Sequence, residues 1–297
     1  MHLGRALLIA SALAAAPTPR PLTPDDAIVV TGRKSPPEVT RARAVEFVRA
    51  AGVAAGEQSV ARWVDPVCPR VLNLAEPYAQ IVEAKLRAVA EETKIPLARQ
   101  PCRPNIVISF ASEAGAVVRR IAKKSLRSMV EIGASERARL LGGDAPVRWW
   151  YSTETKGSDG MAQIVGGAPW TSGNSEGGGS SLPSGVPTLQ QYRSTIIGTQ
   201  TVRVLKAATV IVDVGAADGV PLEAVASYAA MVAFAEIKPA TPPPQSILGL
   251  FDGADRPRGL TAWDTAFLRA LYRLPHDRRA GEQRRILVRE LIAAADR

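Results

Sequence analysis

The fold is decided by residues 222–238, whose sequence is LEAVASYAAMVAFAEIK. The segment is apolar and rich in alanine, which predicts a helix that packs closely through small side chains. It contains no histidine, and its only acids are Glu223 and Glu236. A proline-rich loop, the tight segment SILGLF at residues 246–251 and a second predicted helix, LTAWDTAFLRALYRL at residues 260–274, follow it along the chain.

This order of helix, loop, tight segment and helix resembles the active-site half of the zincins, a class of zinc peptidases. Residues 246–248, Ser-Ile-Leu, resemble the S-I-M turn that lies beneath the metal in metzincins, with Leu248 at the position of the methionine. Residues 260–272 resemble the closing L-T-x-x-D…L-Y helix of that superfamily. Thr261 is predicted to cap this helix, with Asp264 serving its first turn.

The zincin motif HExxHxxGxxH works through helix geometry. Residues four apart share a helix face, so two histidines hold one Zn²⁺ while the glutamate acts on its bound water, and the glycine turns the chain toward a third ligand. When the motif is aligned with this chain by its distance from residues 246–248, Tyr228 and Val232 occupy the positions of the first two metal ligands. Ala229 replaces the glutamate, Ala235 the glycine and Lys238 the third ligand. The sequence therefore predicts a zincin-like scaffold without metal or other cofactor, in a non-catalytic binding or structural role.

A broader resemblance covers most of the chain. RWVDPVCP at residues 62–69, C-x-P-N at residues 102–105 and the S-I-L…LTAWD…FLRALY pattern resemble a group of exported bacterial proteins that has no established activity. This resemblance implies export but supplies no substrate.

The candidate binding residues come from two places. If a cleft persists without the metal, the helix residues near Leu248 that would line it are Tyr228, Met231 and Lys238. Trp149 and Trp150 belong to an aromatic group of the kind that stacks on sugars or peptides, although packing in the core is the alternative for them.

A hydrolase is the competing hypothesis. Residues 173–177 spell G-x-S-x-G around Ser175, and Asp252 and His276 follow in hydrolase order. The nucleophile elbow requires a buried strand before the serine and a helix after it, whereas Ser175 lies among glycines, serines and prolines that favour neither. A metal site built from carboxylates that folding brings together is the second enzymatic alternative.

The N-terminus predicts export. Residues 1–16 have a basic start, an apolar run and an A-x-A cleavage site, as in a secretory signal peptide, and no segment has the length of a membrane span. Residues 17–37 are predicted to form a flexible arm, within which residues 27–33 resemble the TonB box of outer-membrane receptors. The expected location is the periplasm or the cell exterior.

An oxidising compartment makes a disulfide between Cys68 and Cys102 the expected state of the two cysteines. Closing a loop of this length stabilises the fold by roughly 3 to 4 kcal/mol in the chain-entropy model. A Cys/His metal site is the alternative, but two thiolates and one distant histidine lack the usual ligand spacing.

Charge and composition limit the partners. The formal net charge is +9, or +8 once Arg5 leaves with the signal, so an envelope protein or an anionic surface is the candidate partner. The arginines are not interleaved with aromatic residues, so nucleic acid is not expected, and no phosphate-binding glycine loop opens a helix.

The remaining patterns predict an α+β fold, a mixed sheet with packed helices, in one domain of residues 38–297 with a Gly/Ser/Pro-rich loop at residues 166–187. Further helices are predicted at residues 38–51, 76–93 and 113–124. Strands are predicted at residues 106–110, 147–153, 201–205 and 208–214. The helix positions expected to face the core are Val39, Ala42, Val45, Phe47 and Val48 on the first helix and Tyr78, Ile81, Val82, Leu86 and Val89 on the second.

Overall fold

The computed structural model of the protein describes residues 37–124, 132–157, 164–165, 187–188, 198–199, 201–238, 241–253 and 256–295. The predicted signal peptide, the arm with its TonB-box-like segment, and Ser175 lie outside these residues. Within them, seven helices accompany a four-stranded mixed sheet and a separate strand pair, so the predicted α+β class is confirmed.

The main sheet is parallel except at one edge. In chain order the strands are β1 (Pro69–Leu72), β2 (Ile106–Ala111), β3 (Val147–Gly157), β4 (Ile164–Val165), β5 (Pro187–Thr188) and β6 (Thr201–Asp213). The sheet has the order β1-β2-β6-β3, in which β1, β2 and β6 are parallel and β3 runs antiparallel to β6. β4 and β5 pair with each other at the two ends of the Gly/Ser/Pro-rich stretch. β3, at one edge, is therefore the strand of this sheet that runs opposite to the others.

The prediction of two strands in residues 201–214 was wrong, because β6 is continuous. The pairing with β3 shifts between Ser152 and Thr153, whose partners are Ala207 and Leu205, so Lys206 is the extra residue of a β-bulge. The Lys206 side chain forms an ion pair with Asp65 at 2.9 Å. The bulge breaks the strict alternation of side chains, which is why the sequence pattern suggests an interruption.

Helices cover both faces of the sheet. They are α1 (Pro37–Ala50), α2 (Glu76–Thr93), α3 (Ala114–Lys124), α4 (Ala134–Leu141), α5 (Leu222–Phe234), α6 (Ala262–Arg273) and α7 (Ala280–Ala295), with a short 3-10 helix at Ile247–Gly249. Because neighbouring strand residues point to opposite faces, Trp149 belongs to the main core with α5, whereas Trp150 packs with α3 and α4.

Two helix faces differ from the prediction. On α1, Val39 and Val45 are 40% and 47% exposed, and Ala42 is exposed as well. On α2, Tyr78 and Ile81 are 55% and 43% exposed. The buried face of α1 is centred instead on Phe47, whose ring stacks on Trp263 and makes a tilted contact with Phe267 of α6. The first helix therefore has apolar side chains outside the core, while Val82, Leu86 and Val89 of the second are buried as predicted.

The predicted disulfide is confirmed, since Cys68 and Cys102 are bonded. Asn105 reinforces the same junction, because its side-chain oxygen accepts from the Cys68 amide at 2.7 Å and its amide nitrogen donates to the Pro66 carbonyl at 3.1 Å. The disulfide and Asn105 together hold the segment before β1 against the start of β2.

After its first two residues, helix α5 has no solvent face, because every residue from Ala224 to Phe234 is buried. The last carbonyl groups of a helix have no partner within it, so here the protein must supply donors. Aromatic side chains from three separate parts of the chain do so. Trp63 Nε1 donates to the Ala233 oxygen at 2.8 Å and Tyr272 Oη to the Phe234 oxygen at 2.7 Å. Trp149 Nε1 donates at 3.0 Å to the oxygen of Ile237, which lies three residues after the helix.

Tyr151 of β3 is the centre of this arrangement. Its hydroxyl lies 2.6 Å from the Val232 oxygen and 2.8 Å from the Ala235 oxygen, and it accepts from the Ile237 amide at 3.1 Å. Burial raises the pKa of the Tyr151 hydroxyl well above its usual value, so it remains a protonated donor.

We predict that Tyr151→Phe lowers the free energy of unfolding by about 1 to 3 kcal/mol, because it leaves buried backbone groups without a partner. Urea denaturation followed by circular dichroism measures the change. The matched control is Tyr78→Phe, at a side chain that is 55% exposed, which should change stability by less than about 0.5 kcal/mol. Equal effects of the two substitutions would contradict the proposed role of the hydroxyl.

Candidate functional site

A cavity of about 260 Å³ lies where the start of β3, helix α5 and the 3-10 turn meet. We call it the β3 cleft. Its lining residues come from α4, the loop before β3, β3, α5 and the segment after the 3-10 turn; those used below are Arg139, Ala145, Trp149, Tyr228, Phe251 and Asp252. Leu248, at the predicted position of the metzincin methionine, also lines it.

The wall of the β3 cleft is aromatic. The Tyr228 ring meets Trp149 edge-on at 6.1 Å between centroids and Phe251 at 5.5 Å. Burial, reinforced by the negative charge of Asp252, raises the pKa of the Tyr228 hydroxyl far above its usual value. Tyr228 is therefore a neutral hydrogen-bonding group at ordinary pH, and it has no character of a base or an anionic nucleophile.

Charged side chains of both signs line the β3 cleft. The Arg139 guanidinium lies 5.8 Å from the centroid of the Trp149 ring, a cation-π distance. Asp252 is exposed and follows Phe251 directly. Arg148 also lines the cleft, and its guanidinium donates to the carbonyl oxygens of Ala145 and Gly143. The cleft thus combines an apolar aromatic wall with two cations and one carboxylate.

A buried carboxylate holds the turn on which Leu248 lies. Asp264 accepts from the Ser246 hydroxyl at 2.5 Å and the Ile247 amide at 2.8 Å, and also from the Thr261 amide at 2.9 Å. The predicted cap is confirmed, since Thr261 and Asp264 form a capping box at the start of α6. One side chain therefore ties the S-I-L turn to the closing helix.

The structure brings together only some of the predicted binding residues. Tyr228 and Trp149 line the β3 cleft, but Met231 is fully buried in the core and Trp150 packs on the opposite face of the sheet. Lys238 lies 3.1 Å from Glu236 in an ion pair and does not line the cleft.

Most residues that line the β3 cleft were not predicted to do so, among them Phe251, Asp252 and Arg139. Phe251 belongs to the SILGLF segment, so its proximity to Leu248 gave a signal that could have found it. Asp252 was assigned only to the hydrolase alternative. Arg139 belongs to α4, a helix that the patterns did not predict, and its sequence carries no signal for the cleft.

Glu236, one of the two acids of the predicted α5 segment, is buried in an ion pair. Arg203 of β6 contacts its two carboxylate oxygens at 2.7 and 2.8 Å. This bidentate pair satisfies the carboxylate and joins the residues after α5 to the sheet. No group of three histidine, cysteine, aspartate or glutamate side chains suited to a metal occurs within the residues that the structure describes.

His276, the base of the hydrolase alternative, is already engaged. Its Nε2 accepts a hydrogen bond from Arg62 Nε at 2.8 Å, and the same guanidinium donates through Nη1 to the Leu271 oxygen at 2.6 Å. Burial, followed by the nearby Arg62 charge, lowers the pKa of His276 to about 4. His276 is thus a neutral acceptor for a buried arginine, and the serine hydrolase stays an untested prediction because Ser175 is not described.

No family model, curated protein or solved structure matches the chain. Across the described ranges, none of the helices has the length and apolar character needed to cross a membrane.

We predict that protonation of His276 destabilises the fold in acid. The pKa of His276 falls from 6.5 to about 4 on folding, so the unfolded chain binds the proton more tightly than the folded chain. The stability that neutral His276 contributes is therefore complete above about pH 6.5. It is lost as the pH falls from about 6.5 to about 4. The expected loss is about 1 kcal/mol, less than the full shift implies, because solvent screens the half-exposed ring.

The measurement is urea denaturation of the wild type and His276→Gln from pH 7 to pH 4. Glutamine can still accept from Arg62 but does not titrate, so the stability difference between the two proteins should change across this range. A constant difference would contradict the assignment.

Proposed function

We propose that the protein is an exported, non-catalytic binding protein with a zincin-like scaffold, and that the β3 cleft receives one side chain of an extended peptide. The observation that carries the proposal is the cavity of about 260 Å³ with aromatic walls beside β3, the antiparallel edge strand.

Packing supports the scaffold part of the proposal. Tyr151 of the edge strand bonds to the end of α5, Trp149 bonds to Ile237 just after the helix, and the 3-10 turn packs against α5. Asp264 then joins this turn to α6. Edge strand, buried helix, turn and closing helix thus contact one another in the order that the resemblance to zincins implies.

The residue types favour binding over peptidase chemistry. Tyr228 and Val232 stand where the zinc motif has histidines, and Ala229 stands where it has its glutamate. Hydrocarbon side chains provide no proton transfer, and burial keeps the Tyr228 hydroxyl protonated. The retained groups are those that pack or donate hydrogen bonds.

The size of the cleft and its position favour a peptide. A volume of about 260 Å³ is below the roughly 300 to 1,000 Å³ of pockets that enclose a whole drug-sized ligand, but suits one side chain. An edge strand presents backbone N–H and C=O groups that pair with an added strand. Aromatic walls then select an apolar or aromatic side chain, since ring edges and faces pack against one another.

Export is supported by the Cys68–Cys102 disulfide, because such bonds persist in oxidising compartments and are rare in the cytosol. The net charge of +9 agrees with partners at an anionic envelope.

The test is a selection of displayed random peptides on the full chain, followed by fluorescence anisotropy with the enriched sequences. We expect enriched peptides to share an apolar or aromatic residue. Ala145→Trp, which fills the cavity, should weaken their binding at least tenfold. Asp144→Asn, at the exposed neighbouring residue, is the matched control and should leave affinity unchanged.

Absence of enriched peptides, or equal binding by the wild type and Ala145→Trp, would contradict a peptide site in the β3 cleft. Circular dichroism of both variants separates loss of the site from loss of the fold.

A further inference from the structure

A second concave surface, independent of the β3 cleft, lies between the first and last helices. We call it the α1–α7 groove. It encloses about 1,020 Å³. Its lining residues are Arg41, Val45, Val48, Arg49, Gly52, Val53, Ala55, Gly56, Gly281, Arg284, Arg285, Val288, Arg289, Ile292 and Ala293.

The uncharged side chains of the groove are aliphatic. Val45, 47% exposed, was predicted to face the core, so its position accounts for the misassigned face of α1. On α7 the lining positions recur every three or four residues, as on one helix face. From Gly281 to Ala293 this face extends about 18 Å, or more than three helical turns.

Every charged side chain that lines the groove is an arginine. Arg41 and Arg49 come from α1, and Arg284, Arg285 and Arg289 come from α7. The positive charges thus lie on both sides of the apolar floor and along its length, rather than at one end.

Some of these arginines are already engaged. Arg284 donates to the carbonyl oxygens of Ala54 and Gly56, and Arg285 pairs with Glu282 on the same helix. Arg41, Arg49 and Arg289 have no acidic partner within the described residues. Their guanidinium groups can therefore form new bidentate pairs with carboxylates without breaking an existing ion pair.

We propose that the α1–α7 groove binds an acidic amphipathic helix of a partner protein. The apolar stripe of that helix would cover Val45, Val288 and Ile292, while glutamate or aspartate side chains on its two flanks pair with the arginines of α1 and α7. This is helix-in-groove recognition with charge complementarity along both edges.

The shape and chemistry of the groove favour a helix over a membrane surface. Helices that lie on membranes present protruding tryptophan, phenylalanine or leucine, whereas this surface is concave and none of its lining residues is aromatic or leucine. An amphiphile with a single head group would engage one end of the groove. Arginines on both sides match a ligand that carries several carboxylates.

The test uses a synthetic, fluorescein-labelled helix of roughly 14 residues, long enough to span the groove, with leucines at three- and four-residue spacing and flanking glutamates. Its affinity for the full chain is measured by fluorescence anisotropy at low and physiological salt. We expect saturable binding that Arg41→Glu/Arg289→Glu weakens at least tenfold. Val45→Asp, at an exposed position, should weaken it similarly.

The matched control is Arg120→Glu/Lys123→Glu, which makes the same charge change on exposed positions of α3 and should leave affinity unchanged. A permuted peptide with the same composition but no apolar stripe should bind at least tenfold more weakly. Lack of binding, equal binding of the permuted peptide, or an equal loss in the α3 control would overturn the proposal. Phosphatidylglycerol vesicles displacing the helical peptide through Arg41 and Arg289 would also overturn it, in favour of a lipid surface.

Discussion

The buried end of α5 is the constraint on which the rest of the structure depends. A helix without a solvent face cannot leave its last carbonyl groups to water, and each unpaired group would cost about 1 to 3 kcal/mol. The donors are Trp63, Trp149, Tyr151 and Tyr272, which come from the loop before β1, from β3 and from α6. In a chain with only 5% aromatic residues, four of them converge on this one helix end.

This constraint also explains where the β3 cleft forms. The bonds from Trp149 and Tyr151 hold the edge strand to α5 and the residues just after it, so Trp149 meets Tyr228 in the middle of that helix. Asp264 fixes the 3-10 turn on the other side, which brings Leu248 and Phe251 to the same cavity. The cleft is therefore built by hydrogen bonds between distant parts of the chain. The α1–α7 groove arises differently, because α1 and α7 leave Val45, Val288 and Ile292 partly exposed beside the core residues Val48 and Val53.

Local signals in the sequence predicted local structure well. The bounds of α2, the capping box of Thr261 and Asp264 and the disulfide agree with the structure, because each depends on nearby residues or on the only available pair. The hydrogen bond that the Ser246 hydroxyl donates to Asp264 could not be predicted, since the two residues are 18 positions apart and no spacing rule relates them. Helical periodicity likewise could not separate Tyr228 from Met231, because all sides of α5 are buried. The position of Arg139 in the β3 cleft could not be predicted either, because it depends on how α4 packs.

We propose that the chain keeps a zincin-like arrangement of helix, turn and closing helix, in which groups that pack or donate hydrogen bonds stand at the positions of the zinc-binding residues. The most direct measurement is elemental analysis of the natively purified protein, without chelators, before and after dialysis. The account predicts far less than one zinc ion per chain. One zinc ion per chain that survives dialysis would contradict it.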